Sequence, residues 1–414
     1  MDEDEFSFDH PTITEIPNDF PRPRINPWEF LILWTALISF LTARFGHFSA
    51  PMELHWAYAK EFAANGRISE TFVPGIYPAL LGIGLNHFSI YWVRLVHTVF
   101  YLFCVLSAYA ISRLLRLRRS QALGVAVFTS LCPDLVESIN KVWDVSATCA
   151  VTMVLVVLIL MVLQSKSSPW ILPMIGVCLG FGMSLRPNFP TLLIPIAVAV
   201  WFGTDKRVLK FGTSLLEIIA LSGVVFVCLA VFAHGRPYLP SNGPYNFFAG
   251  ANQYTEQSLL NYENAEPSII PALQQGIGLE AVHLDLTDQQ TAKIFTKLGL
   301  RFVKEHPLRW GLRYSILKLF AMFRPNTKVH GLFSIAGLLR LLTTLGLPVW
   351  MTVFALRWKQ KTVELQDWMI PIAAVAYVLP FILTNGDPRF GVPLLLLLWI
   401  HALALLDHWQ EQVA

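Results

Sequence analysis

Nine charged residues stand beside long apolar runs in this chain: Glu53, Arg94, Asp134, Lys141, Asp144, Arg186, Lys318, Asp387 and Arg389. A charge at the edge of hydrocarbon is expensive, and it usually marks function. Arg94, Arg186 and Arg389 stand out, because a guanidinium fork in such a place binds phosphate or carboxylate through two parallel hydrogen bonds. Each also has a plainer account, snorkelling to water or pairing with a neighbour, as Arg389 would with Asp387. Several cations on one face weigh toward an anionic ligand. Glu53 has its own plain account, a carboxylate in a first helical turn that favours the helix dipole.

Other chemistries lack their motifs. There is no Walker loop, and "GVCLGFG" (176–182) reads as small residues for helix packing. The histidines show neither HxxxH nor HExxH spacing, so no metal is expected. The five cysteines all fall inside apolar windows, as small buried residues do. No GxSxG elbow supports a serine nucleophile. A net charge of +3 is too small to imply nucleic acid. No cofactor is expected.

The elements that must position these residues are membrane spans. Apolar residues make up 54% of the chain, charged residues 14%, and the mean hydropathy is +0.51, which excludes an ordinary soluble fold. Windows near the spanning length recur at 28–41, 90–115, 147–163, 214–233, 332–356, 368–384 and 392–406. Basic clusters in short loops stay in the cytoplasm. Three occur: Arg113, Arg116, Arg118 and Arg119; Lys206, Arg207 and Lys210; Arg357, Lys359 and Lys361.

Threading the chain with all three clusters inside predicts an all-α polytopic protein of about ten spans with both termini cytoplasmic. The weak members of that count are 122–138, interrupted by Pro133 and Asp134, and the short pair 170–185 and 189–202. The organisation expected is an acidic, disordered cytoplasmic head (1–26), an N-terminal transmembrane core (27–233) with an exposed first loop (46–88), a non-cytoplasmic insert (234–330), and C-terminal spans (331–414). The head lacks the pattern of a cleaved signal peptide.

In the first exposed loop, "PMELHWAYAKEFAANG" predicts an interfacial helix with Glu53 in its first turn and Asn65-Gly66 as its stop, its apolar side formed by Met52, Trp56, Ala59 and Ala63. The insert opens with a Gly/Pro/Asn-rich stretch that reads as loop and then carries a helix at "DQQTAKIFTKLGLRFVKEH".

Several segments in order resemble the GT-C superfamily of membrane glycosyltransferases. "FVPGIYPALLGIG" (72–84) is similar to the segment after the first loop of those proteins, and "YWVRLVHTVFYLFCVLSAYAISRLLRLRRSQALGVAVFTSLCP" to their second and third spans. "NFFAGANQY" is similar to a conserved exposed loop of that superfamily, "FVKEHPLRWGLRYSILKLFAMFRP" to a segment that follows it, and "DPRFGVPLL" to their final motif. The resemblance spans nearly the whole chain, on the branch of protein O-mannosyltransferases and aminoarabinose transferases.

That resemblance implies a fold and an activity. Sugar would pass, with inversion, from a polyprenyl-phosphate donor to a glycan, lipid or protein acceptor on the periplasmic or lumenal side of a cell membrane, such as a bacterial inner membrane. Glu53 matches the first-loop carboxylate that acts as base, with Glu61 and Asp144 in reserve; many relatives carry an Asp or an Asp-Glu pair there, whereas here Glu53 stands alone. Arg94, Arg186, Lys318 and Arg389 are the cations available to the leaving phosphate. His55, Tyr58, Asn252 and Tyr254 would contact sugar or acceptor, or hold their loops together, while Asp144 and Asp387 support the cations. The alternatives are a transporter or flippase of a lipid-linked sugar, which needs the cations and no base, and a non-catalytic subunit of the same fold.

Overall fold

The computed structural model describes residues 26–50, 53–70, 72–164, 169–203, 207–262, 266–277, 289–323, 334–384 and 391–413. Helices account for nearly all of them, with one isolated bridge, between Ser49 and Lys141. α1 (Pro27–Phe45) begins where the Asn26 side chain accepts the Trp28 N–H at 3.1 Å and Pro27 takes the first helical position, where its missing N–H is no loss. α2 (Glu53–Asn65) and α3 (Ile76–Gly82) pack on each other, and α4 (Leu85–Leu114) follows with a kink at Ser89. The chain continues through α5 (Arg119–Ser130), α6 (Pro133–Ser138), α7 (Val145–Leu163), α8 (Ile171–Leu185), α9 (Leu193–Gly203) and α10 (Val208–His234).

After α10 come the helices of the insert: α11 (Gly243–Ala249), α12 (Thr255–Tyr262), α13 (Ile269–Ile277), α14 (Gln289–Glu305) and α15 (Ser315–Phe323). α16 (Ile335–Lys359), α17 (Leu365–Leu383) and α18 (Val392–Val413) complete the described chain. This is an all-α, multi-pass membrane protein. Among the described residues six helices, α1, α4, α7, α10, α16 and α17, are long and apolar enough to cross a bilayer. The expected ten full-length spans are therefore a miscount. The segments 171–185, 189–203 and 392–408 are apolar but shorter, and Pro133 divides 122–138 into α5 and α6. A helix needs about 20 residues to cross the hydrocarbon, and apolar composition alone does not supply that length.

The bundle is centred on α7, of whose apolar window 78% is buried, against 17% for α1 and for α10. α4, α8 and α9 surround it. α8 and α10 approach closely because Gly176 and Gly180 share one face: a Cβ at Gly180 would lie 2.5 Å from the Ser222 carbonyl, and one at Gly176 3.0 Å from Leu221 Cβ. The packing role read for that stretch is what the helices display.

Three side-chain ties gather the basic clusters at one end of the bundle. Gln164 donates to the Leu114 carbonyl at 2.6 Å, Gln121 to Asp407 at 2.6 Å, and Arg116 pairs with Glu364 at 3.6 Å. Gly203 abuts Val162 there, just before Arg207. The opposite end is held by Asn140 donating to the Thr42 carbonyl at 2.6 Å, by the Ile68 N–H to the Ala233 carbonyl at 2.8 Å, and by the Asn242 N–H to the Phe72 carbonyl at 3.1 Å.

Two local expectations change. α2 spans the predicted range, but its buried side carries His55, Tyr58, Ala59 and Phe62, while Glu53 is exposed. Phe62 stacks near Phe232 of α10, so this face is a protein contact and not a headgroup contact. The opening of the insert is also helical, as α11 and α12, because Phe248, Leu259, Ile269, Leu273 and Phe295 form a separate small core that offsets its weak local propensity. α14 lies where the sequence placed a helix.

Gly180→Leu should overpack the α8–α10 contact and cost about 1–3 kcal/mol. A lowered midpoint of thermal unfolding in detergent checks it; an unchanged midpoint would contradict the close approach.

Candidate functional site

The polar groups of the bundle converge at the end opposite the basic clusters. Asp144 directly precedes α7, a position from which a carboxylate ordinarily caps the helix, yet its side chain makes no capping bond. It turns to Arg186, which ends α8 in an extended conformation. Arg186 Nη2 lies 2.6 Å from Asp144 Oδ1 and 2.5 Å from Oδ2, and Nε donates to Thr148 Oγ1 at 3.2 Å. The Asp144 side chain is 4% exposed and that of Arg186 13%, so the pair is almost out of water. The α7 N-terminus adds a favourable field for the carboxylate.

Beside this pair runs a buried chain of neutral groups. Tyr77 Oη lies 3.0 Å from His97 Nε2, and His97 Nδ1 lies 3.0 Å from Ser146 Oγ. Burial, reinforced by the Asp144 charge, pushes the Tyr77 phenol well above its usual range, so it is a neutral donor. Whichever ring nitrogen of His97 carries the proton, one of the two hydroxyls donates to the ring and the other accepts from it. Ser146 and Thr148 follow Asp144 at two and four residues, so the first turns of α7 serve both the ion pair and the chain. His55 brings its ring to 5.5 Å from that of Tyr77, and so joins α2 to the cluster. Tyr377 on α17 is fully buried in reach of both charges, and its hydroxyl has no hydrogen-bond partner among the described residues.

The residues singled out in the sequence fall into distinct groups. Arg186, Asp144 and His55 come together here. Glu53 opens α2 on its exposed side, with no hydrogen bond or ion pair among the described residues. His55, two positions on, faces the other way. Tyr58 donates to Glu70 at 2.6 Å, and burial holds its phenol far above the ordinary value. Glu61 accepts the Ser69 N–H at 2.8 Å. Arg94 lies over the Tyr91 ring at 5.9 Å. Asn252 is buried and braces the insert, donating to the Phe248 carbonyl at 2.8 Å and to Ser268 at 2.7 Å while accepting the Tyr254 N–H at 2.9 Å. The Tyr254 hydroxyl donates to Gln275 at 3.0 Å. Asp387 and Arg389 lie outside the described residues.

Lys318 has an unexpected environment. It is fully buried on α15, where its Nζ donates to the Gly250 carbonyl at 2.8 Å and the Ile382 carbonyl at 2.9 Å. It thus ties the insert to the end of α17. Burial pulls its pKa down to about 7, and the two donors of a neutral amine match the two carbonyls.

Sequence reasoning missed Tyr77, His97, Ser146, Thr148 and Tyr377. His97 was the one legible signal, an ionisable side chain inside a long apolar run. It named Asp134 and Lys141 but missed the partners that join them in a second charged group at this end: Arg340 on α16 donates to Asp134 at 3.2 Å and to Glu137 at 2.7 Å, and Glu137 in turn pairs with Lys141.

No family model, curated protein or solved structure matches this chain. Its chemistry has to be argued from the residues. Among those described, no group of three or more His, Cys, Asp and Glu side chains is arranged to hold a metal ion. What the site provides is a fixed guanidinium, a neutral hydroxyl–imidazole–hydroxyl chain, and an exposed carboxylate on the neighbouring helix.

Asp144→Ala should leave the Arg186 charge nearly dry and cost about 3–5 kcal/mol, whereas Asp144→Leu combined with Arg186→Leu should recover much of it. Thermal unfolding of the single and double variants checks this coupling. For Lys318, the folded chain binds fewer protons than the unfolded chain between about 7 and the ordinary 10.5. Stability therefore rises with pH across that window and is lowest below it. Unfolding midpoints at neutral and alkaline pH should show this slope in the wild type and a flatter one in Lys318→Met.

Proposed function

We propose that the chain is a membrane glycosyltransferase that moves a sugar from a polyprenyl-phosphate donor to a hydroxyl acceptor. The observation that supports this best is the Asp144–Arg186 pair, held beside the Tyr77–His97–Ser146 chain next to α2, on which Glu53 is exposed. A glycosyl phosphate needs a base at one side of the anomeric carbon and a cation at the other. The cluster offers the cation, and α2, which joins it through His55, carries the carboxylate.

In this reading the acceptor oxygen attacks the anomeric carbon while Glu53 takes its proton. The bond from that carbon to the phosphate oxygen breaks, and the polyprenyl phosphate leaves as an anion. Arg186 balances the growing charge, helped by Arg94 and Arg389, while Lys318, buried and bonded to two carbonyls, holds the insert against α17. Glu53 suits the base better than Asp144, because Asp144 is already bonded to a guanidinium at 2.5 Å and has the task of fixing that cation. Inversion follows from a single displacement. The insert would limit water, since hydrolysis of the donor is the competing reaction.

The gathering of the three basic clusters at one end supports an orientation. By the positive-inside rule that end faces the cytoplasm, with both termini, and the site faces the periplasm or lumen.

Radiolabelled polyprenyl-phosphate sugars presented to the purified chain in proteoliposomes test the reading. Glu53→Gln should lower turnover about 10²- to 10⁴-fold with donor binding kept. Unchanged turnover would remove Glu53 from the reaction, and tight lipid binding without turnover of any donor would favour a transporter.

A further inference from the structure

On the membrane face between α5 and α18, the bundle opens into a groove of about 520 Å³. α5 and α18 both pack on α4, and their side chains meet at two places along the groove. At one end the rings of Phe128 and Trp399 stand 5.9 Å apart. At the other, Gln121 donates to Asp407 at 2.6 Å and accepts the Arg118 N–H at 2.8 Å. Between them run roughly 10 Å of helix, at about 1.5 Å per residue. The walls are apolar, from Leu117, Val125, Leu342, Leu403 and Leu406. Gly124 forms part of the open side: it is exposed, and a Cβ there would meet no atom within 4 Å.

The charge at the two ends of this groove is unequal. Its Gln121 end coincides with the first basic cluster, where Arg113, Arg116, Arg118 and Arg119 are all exposed. Of the acids there, Glu364 is paired with Arg116 at 3.6 Å, and Asp407, 7% exposed and held by Gln121, forms wall and not mouth. A hydrocarbon slot that ends at a cluster of guanidinium groups fits an amphiphile with an anionic head. A neutral partner helix would have no use for the cations.

We propose that this groove is a binding site for an anionic phospholipid, with one acyl chain against Leu117, Val125 and Leu403 and its phosphate beside Arg118 and Arg119. The site lies at the opposite end of the bundle from Asp144 and Arg186, so it stands whether or not the chain transfers sugars. Lipid there would fill the gap between α5 and α18 and link the two helices through their cytoplasm-directed ends in the orientation given above.

Native mass spectrometry of the full chain in detergent, titrated with phosphatidylglycerol and with phosphatidylcholine of the same chain length, tests this. Phosphatidylglycerol should bind about tenfold more tightly, the effect expected of two arginines near an anionic head. Gly124→Phe should weaken both lipids several-fold, since its ring would occupy the slot. Arg118→Gln with Arg119→Gln should bring phosphatidylglycerol down to the level of phosphatidylcholine; both positions are exposed, so this variant serves even if Gly124→Phe misfolds. Equal affinity for the two lipids in the wild type would overturn the proposal. So would unchanged phosphatidylglycerol binding in the arginine variant, or preferential capture of a polyprenyl phosphate, which would make the groove a carrier site.

Discussion

An aspartate and an arginine that leave water together must stay together, because either one alone would keep a charge in a medium that solvates it poorly. Asp144 and Arg186 meet that condition with 2.5 and 2.6 Å contacts, and they sit where the most enclosed helix starts and its neighbour ends. The pair thereby fixes how α7 and α8 meet. Everything near it inherits that geometry. Ser146 and Thr148 are placed by the first turns of α7, His97 by its bond to Ser146, and Tyr77 by its bond to His97. The α2–α3 layer is therefore registered on the bundle through hydrogen bonds as well as apolar contact.

The charges of the molecule are sorted by end. Basic side chains gather where the loops are short, and the paired or partnered charges gather where the insert lies. The second group keeps its donors matched: Arg186 with Asp144, Arg340 with Asp134 and Glu137, and Lys318 with two carbonyls. Matched charges of this kind allow polar chemistry to exist beside hydrocarbon without the bundle loosening.

Local features were legible in the sequence and distant ones were not. Composition showed a helical membrane protein, the limits of α2 followed from Glu53 and Gly66, and the close packing of α8 followed from its spaced glycines. Arg186 and Asp144 were visible as charges at span edges, but nothing in the sequence shows that residues 42 positions apart share a bond. The same holds for Arg340 and Glu137, at 203 positions. The span count failed for another reason: apolar composition does not reveal where a helix stops short, as in 171–185, 189–203 and 392–408. The buried side of α2 was misjudged because Trp56 and Ala63 are apolar, while His55 is drawn inward by Tyr77, which belongs to the next helix.

Gly250 sets a limit on how this architecture can change. A side chain there would run into the Thr384 carbonyl and the Lys318 Nζ at once, so the turn after α11 is pressed directly against the end of α17. The insert is consequently not a portable cap that evolution could exchange among bundles. Any lengthening of its first turn has to be matched by a shift in a transmembrane helix.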